Sequence, residues 1–367
     1  MHILVLLTDL FDSVGGIQTF NRYLVRALCE IAKEKRWEVS IIALNDTGRS
    51  NISEQYLDRS IAKYIFCCGS KIKFTLIFLA NLAKASKIII GHVNFLPIFG
   101  ALRFLPLKIK KILFIFGIDV ERKFSCLFRA GLDTVDKILS ISENTKKLFL
   151  SINKFSTTKI SIIPCTLDTL CKENINLKSK QELFLPDGNM ILTVSRLDPS
   201  ENYKNIDLVI ESLPEVLQKI PNTYLVIVGD GADLGRLKEI ARNMNLINKV
   251  IFVGRASSES LPSYYKACDV FVLPSTKEGF GIVFLEAMYF SKPCIGARAG
   301  AIPEVVEDCK TGLLINPDNK AELSKAIISL LDDKSLSKTM GNAGKEVLEN
   351  KFSFGIFKQK LELNLCQ

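Results

Sequence analysis

The sequence is poor in the residues that build metal sites. It has only two histidines, His2 and His92, and its ten cysteines include no C-x-x-C pair. Zinc sites draw on histidines and closely spaced cysteines, so we expect no metal site. Several cysteines, among them Cys29, Cys165 and Cys294, lie in apolar stretches. This placement is typical of free thiols in a reducing cytosol rather than of a disulfide framework.

Long apolar runs and the marks of an export signal are also missing. No run of about 18 uninterrupted apolar residues occurs, so no membrane span is expected. The first residues are apolar, but no basic region precedes them, and Asp9 and Asp12 follow soon afterwards. We interpret this stretch as a buried strand that runs into a loop, not as a signal peptide. The sequence therefore predicts a cytoplasmic protein.

Two common phosphate-binding motifs are absent as well. There is no D-x-D motif that would hold a diphosphate through a metal ion. The loop after the first predicted strand does not match G-x-G-x-x-G, which disfavours an NAD-dependent dehydrogenase. Neither a metal nor an organic cofactor is expected from these absences.

The chain is of two-domain size, and its charge is unevenly placed. It has 367 residues, of which 48% are hydrophobic and 24% charged, as expected for a globular protein. Residues 1–175 hold 25 Lys+Arg and 15 Asp+Glu, whereas the remainder holds 23 and 24, so the net +9 belongs to the first half. On charge alone, the favoured interpretation is a solvated basic surface without a partner. The segment 102–111, however, mixes Arg103, Lys108, Lys110 and Lys111 with Leu and Phe, which suits an anionic membrane surface better than a nucleic acid.

Apolar runs that alternate with helical patterns indicate parallel strands covered on both faces. We predict seven strands in the first half, Ile3–Leu7, Val39–Leu44, Tyr64–Cys67, Lys87–Ile90, Ile112–Phe116, Ile138–Ile141 and Ile160–Ile163. Six more follow, Met190–Val194, Tyr224–Val228, Val250–Val253, Val270–Leu273, Pro293–Gly296 and Gly312–Ile315. Two such series predict an α/β protein with two doubly wound Rossmann-like domains facing across a cleft. The predicted divisions are domain 1–170, linker 171–188, domain 189–350, and a C-terminal helix 351–367 that packs back on the first domain.

The segment PSTKEGFGIVFLEA at 274–287 has the features of a phosphate-binding helix start. Gly279 and Gly281 let main-chain N–H groups approach a ligand, and a helix starting near Gly281 directs its positive end at an anion. Glu278 precedes this helix and Glu286 lies inside it. Two carboxylates make poor phosphate ligands but good acceptors for sugar hydroxyls on either side of a diphosphate.

Other candidate residues also follow predicted strands, where ligands bind in such folds. Arg196 and Lys204 offer cations to a diphosphate without a metal, although alone they would be read as solvated. Gly15 and Gly16 begin another helix, and Gly229 belongs to a weak G-x-G. His92 ends a strand, with structural and functional interpretations equally open.

Taken together, PSTKEGFGIVFLEAM, GARAGAIPEVV and VSRLDPSENYKN resemble the donor site of family 4 retaining glycosyltransferases, also called glycosyl transferases group 1, which have the GT-B fold. The resemblance is specific over residues 185–320 and weaker in the first half, where VGGIQTFNRYLVRAL and FGIDVERK match in order. The E-x7-E motif matches at Glu278 and Glu286.

This resemblance implies a role for each residue. Arg196 and Lys204 would neutralise the leaving diphosphate of a UDP- or GDP-linked sugar, Glu278 would bind the transferred sugar, and Glu286 the ribose. Backbone N–H groups would come from Gly279, Phe280 and Gly281, with Gly15 and Gly16 closing over the phosphates. Retention, front-face attack and independence of metal are implied too. The chain departs from the family at Phe116, where many members carry His, and Asp119 is the residue that could compensate. Extra residues precede Lys204 in its loop.

The favoured function is hexose transfer to a saccharide or lipid-linked acceptor in bacterial surface polysaccharide synthesis, such as lipopolysaccharide, capsule or exopolysaccharide. The acceptor class is inferred from the basic first half of the chain and its segment 102–111. The enzyme would be peripheral at the inner face of the membrane. Two alternatives remain open: a sugar-nucleotide epimerase of the same fold and a non-catalytic nucleotide-sugar-binding subunit. The epimerase interpretation needs an acid/base pair for which the sequence offers no second cleft histidine.

Overall fold

The protein consists of two compact α/β units. The computed structural model describes residues 1–13, 15–48, 54–105, 108–167 and 176–366. The first unit comprises residues 1–166 together with 354–367, and the second comprises residues 167–353. Residues 171–175 of the predicted linker lie outside the described residues, and its remainder belongs to the second unit.

The first unit is built on seven parallel strands. They are β1 (His2–Leu7), β2 (Glu38–Ala43), β3 (Ala62–Phe66), β4 (Lys87–Ile90), β5 (Lys110–Ile115), β6 (Lys137–Ser140) and β7 (Ile160–Ile162). Their order in the sheet is β3-β2-β1-β4-β5-β6-β7. Its helices are α1 (Gly16–Lys35), α2 (Lys71–Leu82), α3 (Leu96–Ala101), α4 (Cys126–Leu132), α5 (Glu143–Ile152) and, from the chain end, α13 (Phe354–Cys366).

The second unit repeats this plan with six parallel strands. They are β8 (Asn189–Val194), β9 (Thr223–Val228), β10 (Val250–Gly254), β11 (Val270–Leu273), β12 (Cys294–Ala297) and β13 (Gly312–Ile315), in the order β10-β9-β8-β11-β12-β13. The helices are α6 (Ile206–Lys219), α7 (Leu234–Asn243), α8 (Leu261–Ala267), α9 (Ile282–Tyr289), α10 (Ile302–Val305), α11 (Lys320–Asp332) and α12 (Lys334–Lys351). The predicted class, two doubly wound Rossmann-like α/β units, is confirmed, as are all thirteen strands to within about two residues at either end.

Central strands of both sheets are apolar because helices cover both faces. Residues 3–7 of β1 are fully buried, and residues 191 and 192 of β8 are buried in the same way. In each sheet the strand order reverses next to the first strand, between β1 and β4 and between β8 and β11. Ligands of doubly wound sheets bind beyond the carboxyl ends of strands at such a reversal.

Helix α13 packs on α1 within the first unit. The rings of Phe20 and Phe357 meet edge to face at 5.6 Å, and the Arg26 guanidinium lies 4.7 Å from the centre of the Phe354 ring. Lys358 donates to Glu30 at 3.0 Å and to Glu34 at 2.7 Å. Helix α13 thus completes the unit that residues 1–166 form.

Candidate functional site

The two predicted donor loops are neighbours at the strand-order reversal of the second unit. One follows β8 and contains Arg196 and Lys204, and the other follows β11 and contains Glu278. Strands β8 and β11 are adjacent, with Ile191 and Leu192 in register with Val270 and Phe271. The sheet therefore brings together segments that are about 80 residues apart in sequence.

Lys204 and Glu278 form an ion pair at this point. The Lys204 Nζ lies 2.7 Å from Glu278 Oε2, and the two side chains are only 17% and 15% exposed. Because little solvent screens the two charges, the attraction between this cation and this carboxylate is stronger than in an exposed ion pair. The residues proposed to meet the diphosphate and the sugar are thus in direct contact.

Backbone and amide contacts hold the two loops together. The Thr276 amide donates to the Tyr203 carbonyl oxygen at 2.8 Å. The Asn205 side-chain amide donates to the Pro274 carbonyl oxygen at 3.2 Å and to Asp318 Oδ1 at 2.8 Å. Asn205 has a left-handed backbone, with φ of 55°, a conformation that asparagine tolerates better than most residues. Sequence reasoning did not identify Asn205 or Asp318.

Arg196 is positioned by close packing of its loop on the end of β9. Its side chain is 65% exposed and pairs with Glu201. The Ser195 amide donates to the Val228 carbonyl oxygen at 3.1 Å, and a Cβ on Gly229 would lie 1.8 Å from the Ser195 carbonyl oxygen. The structure therefore gives Gly229 a packing role beneath the Arg196 loop. Whether it also contacts a donor stays a prediction.

Helix α9 begins as predicted, immediately after Gly281. Gly281 is the N-cap residue with φ of 90°, and no side chain caps the helix. The Phe280 ring is buried and packs edge to face on Phe352 at 5.6 Å, so only its main chain could serve a ligand. The first turn of α9 thus directs main-chain N–H groups and its positive end outward from the β11 loop.

Glu286 is held by a tyrosine that sequence reasoning missed. The hydroxyl of Tyr265, on α8, donates to Glu286 Oε2 at 2.8 Å. Burial, together with the nearby Glu286 carboxylate, raises the pKa of Tyr265 well above its usual value. Tyr265 therefore remains a hydrogen-bond donor at physiological pH, which orients Glu286 on α9.

Gly300 is a further residue that sequence reasoning missed, and it supports the backbone of Glu278. Its φ is +57°, and a Cβ there would lie 2.7 Å from both the amide nitrogen and the carbonyl oxygen of Glu278. The Ala301 amide donates to the Glu278 carbonyl oxygen at 2.9 Å. The glycine in GARAGAIPEVV was a usable signal, because only glycine permits both this close approach and this backbone conformation without strain.

The strand-order reversal of the first unit carries the remaining candidates. Gly15 caps α1, whose first residue is Gly16, and the side chain of Asp46 organises the loop that leads there. Asp46 is fully buried and accepts from the amides of Leu10 at 2.8 Å, Phe11 at 3.2 Å and Asp12 at 3.0 Å, and from the Tyr64 hydroxyl at 2.6 Å. Its importance was not visible from the sequence.

The side chains of His92 and Asp119 contact each other. His92 Nε2 lies 3.1 Å from Asp119 Oδ2, and His92 Nδ1 accepts from the Asn94 amide at 3.1 Å. These contacts assign the proton of neutral His92 to Nε2, which then donates to Asp119. Phe116, in contrast, is buried with its ring centre 5.1 Å from that of Phe20, and therefore offers no polar contact.

The described residues contain neither a metal-ligating cluster nor a membrane-spanning helix. Across the described residues, no three side chains of the His, Cys, Asp and Glu types cluster as a metal site. No helix in the described ranges has both the length and the apolar character needed to cross a membrane.

Known proteins resemble this chain in sequence and in fold. Residues 174–347 match the family model of glycosyl transferases group 1. GDP-mannose-dependent α-(1-6)-phosphatidylinositol monomannoside mannosyltransferases are similar to this chain, with 30% identity over 231 residues in Mycolicibacterium smegmatis and 32% over 247 residues in Mycobacterium tuberculosis. These matches cover 60% and 65% of this chain and span only about three fifths of the relatives' own length, 59% and 63%.

A solved structure, that of Anabaena HepE in complex with UDP, superposes with a TM-score of 0.81 over 100% of both chains at 20% sequence identity. This likeness establishes the fold, which is the GT-B fold with two Rossmann-like units. The second unit contains the region, residues 174–347, that matches the family model of glycosyl transferases group 1.

Proposed function

We propose that this protein is a retaining glycosyltransferase that moves a hexose from a UDP- or GDP-linked sugar to a saccharide or lipid-linked acceptor. The observation that carries the proposal is the Lys204–Glu278 ion pair, 2.7 Å long and mostly buried, at the strand-order reversal beside the start of α9. A cation, a carboxylate and a helix N-terminus are what a diphosphate and an attached sugar require at one place.

In the proposed reaction, the bond between the sugar and the diphosphate breaks while the acceptor hydroxyl attacks the same face. The hydroxyl proton passes to the departing diphosphate oxygen. Lys204 and Arg196 stabilise the negative charge that develops on the departing diphosphate, without a metal. Glu278 accepts hydrogen bonds from sugar hydroxyls, and Glu286, oriented by Tyr265, accepts them from the ribose. Main-chain N–H groups of Gly279, Phe280 and Gly281 meet the phosphates. His92, Asp119, Gly15 and Gly16 are proposed to contribute from the first unit.

The relatives and the charge distribution support the acceptor class. The mycobacterial relatives are named as transferring mannose to phosphatidylinositol mannosides, and HepE was solved with UDP. The basic first half of the chain suits a phosphate-bearing acceptor at an anionic surface. We place the reaction in bacterial surface polysaccharide or glycolipid synthesis, at the inner face of the membrane.

Glu278→Gln tests the catalytic assignment. We expect donor hydrolysis and sugar transfer to fall about 100-fold or more, because the amide keeps the shape of the side chain but loses its charge. Glu346→Gln, an exposed change on α12, is the matched control and should retain full activity. If Glu278→Gln turned over the donor like wild type, Glu278 would not be catalytic. A wild-type protein that bound the donor without turning it over would be a binding subunit.

The configuration of the product tests retention, and nucleotide binding tests the identity of the donor. Proton NMR of the product should show the donor's anomeric configuration, whereas release of a free epimer without transfer would indicate an epimerase. Thermal shifts with UDP, GDP and ADP should single out one nucleotide, which at 100 times its dissociation constant adds about 2.7 kcal/mol of stability. Activity that required an added divalent metal would overturn the metal-free assignment.

A further inference from the structure

Helix α2 of the first unit is apolar on two opposite sides. Phe74, Phe78 and Leu82 point into the core, whereas Ile72, Leu76 and Leu79 are 76%, 62% and 40% exposed. The exposed residues are spaced at i, i+4 and i+7, which places them on one stripe. A surface helix normally keeps its outer face polar, and a contiguous exposed apolar stripe marks an interaction site.

A second exposed apolar group lies on the same side of the first sheet. Phe104 and Leu105, just after α3, are 82% and 50% exposed. Helix α2 contacts α3 and the turn before it, because Phe74 stacks on Phe95 at 4.9 Å and Phe78 meets Phe99 at 5.5 Å. We call Ile72, Leu76, Leu79, Phe104 and Leu105 together the apolar face.

The chain around the apolar face carries only positive charge. Residues 59–118 contain no Asp or Glu but ten Lys and Arg, namely Arg59, Lys63, Lys71, Lys73, Lys84, Lys87, Arg103, Lys108, Lys110 and Lys111. These ten cations equal in number the excess of Lys and Arg over Asp and Glu in residues 1–175. Among those nearest the apolar face, Lys71, Lys73, Lys84, Arg103 and Lys108 are exposed.

A cavity of about 310 Å³ is lined in part by Leu105 of the apolar face and combines the same two kinds of side chain. Its apolar walls are Phe99, Leu102 and Leu105, and its cations are Arg103, Lys108 and Lys111. A phosphate head group with the first carbons of an acyl chain has this combination of charge and apolar surface.

We propose that the apolar face and its surrounding cations dock on an anionic lipid bilayer, with α2 lying flat in the interface. A twelve-residue helix is about 18 Å long, too short to cross a hydrocarbon core of about 30 Å, but long enough to bury a stripe at its surface. A nucleic acid would use the cations but not the exposed Ile72 and Leu76. A second copy of this chain would bring like charges together. That this docking serves a lipid-linked acceptor rests on the proposed function, whereas the docking itself does not.

Vesicle co-sedimentation of the full chain tests this surface. We expect binding to vesicles of about 30% phosphatidylglycerol in phosphatidylcholine at low salt, and at least tenfold weaker binding to phosphatidylcholine alone. The variant I72S/L76S should weaken binding about tenfold by removing buried apolar area. K71Q/K84Q should weaken it about 25-fold, since each of the two cations near an anionic surface contributes about fivefold.

Matched controls lie in the second unit. Ile247→Ser removes an apolar side chain that is 61% exposed, and K338Q/K345Q removes two exposed lysines of α12. Both controls should bind like wild type. Losses in the controls equal to those in I72S/L76S and K71Q/K84Q would overturn the proposal, as would binding to phosphatidylcholine alone at full strength.

Two further readouts separate the possible failures. Donor hydrolysis by I72S/L76S should equal that of wild type, so a loss of vesicle binding and a loss of catalysis are distinct results. Gel filtration without lipid should show no mass change between wild type and I72S/L76S. A dimer that this variant converts to a monomer, with vesicle binding unchanged, would assign the stripe to a second copy and overturn the proposal.

Discussion

At the scale of single residues, the Lys204–Glu278 pair combines stability with chemistry. Neither side chain is well solvated, so each carries a desolvation cost that the partner offsets. Removing one partner leaves the other charge largely buried and uncompensated. The pair is therefore expected to behave as one unit in both folding and catalysis.

Lys204→Met should destabilise the second unit by about 2 kcal/mol, because the Glu278 carboxylate loses its cation. Adding Glu278→Gln to that variant should restore part of the loss, since the amide costs less to bury. The measurement is a double-mutant cycle by urea unfolding, followed by circular dichroism. Strictly additive effects of the two changes would contradict the coupling.

Gly300→Ala should displace the backbone of Glu278. The new Cβ would meet two Glu278 main-chain atoms at 2.7 Å, and φ of +57° is unfavourable for alanine. A displacement near 1 Å lowers catalysis by about 100-fold, so kcat/KM for sugar transfer should fall to that extent. Gly235→Ala is the matched control, because a Cβ there meets nothing within 4 Å. Equal kcat/KM for the two variants would refute the role of Gly300.

At the scale of elements, strands were predictable and their contacts were not. Continuous apolar runs identify β1 and β11 because buried parallel strands need apolar residues on both faces. The predicted strand β5 omits Lys110 and Lys111, because lysines are atypical of a buried parallel strand. In the structure, they pair with Lys87 and Ile88 of β4. Loop positions of Arg196 and Glu278 followed directly from the strands.

Contacts between distant segments lay beyond the sequence patterns. Nothing local in the sequence says that β8 neighbours β11, and so nothing says that Lys204 meets Glu278. The hydrogen bond from Tyr265 to Glu286 and the one from Asn205 to Asp318 join separate elements in the same way. Residue type and spacing indicated which loops carry chemistry, but not which side chains hold them in place.

Tyr265→Phe tests the support that α8 gives to α9. The change removes the hydroxyl that orients Glu286 while keeping the buried ring, so we expect KM for the donor to rise several-fold with a smaller change in kcat. Stability should fall by about 2 kcal/mol, as expected for one hydrogen bond to a charged group. Tyr264→Phe, at the neighbouring buried position of α8, is the control and should leave KM unchanged. A KM unaffected by Tyr265→Phe would separate Glu286 from donor binding.

Asp46→Asn tests the loop between β1 and α1. The buried carboxylate accepts hydrogen bonds from three successive amides, and an asparagine side chain can accept fewer. We expect a loss of about 1–3 kcal/mol in the first unit. The single tryptophan, Trp37, lies in that unit and reports its unfolding by fluorescence. Asp332→Asn, an exposed change on α11, should have no effect.

At the scale of the whole molecule, the first unit is made from both ends of the chain. Helix α13 follows the second unit in sequence, yet its contacts are with α1. The ion pairs of Lys358 with Glu30 and Glu34 are part of this closure. Burial lowers the pKa of Lys358, but the hydrogen bonds to Glu34 and Glu30 and the charges of these two carboxylates together outweigh burial and raise the pKa.

This shift makes the docking of α13 dependent on pH in a defined direction. A lysine whose folded pKa is raised stabilises the fold fully below its ordinary pKa of about 10.4 and loses that contribution as pH rises through the folded value. We expect the stability of the first unit, followed through Trp37, to fall more steeply above about pH 10.4 in wild type than in Lys358→Met. Lys338→Met, an exposed lysine of α12, should leave the wild-type profile unchanged. Identical profiles for wild type and Lys358→Met would show that α13 is held on α1 by its apolar contacts, Phe20 with Phe357 above all, rather than by these charges.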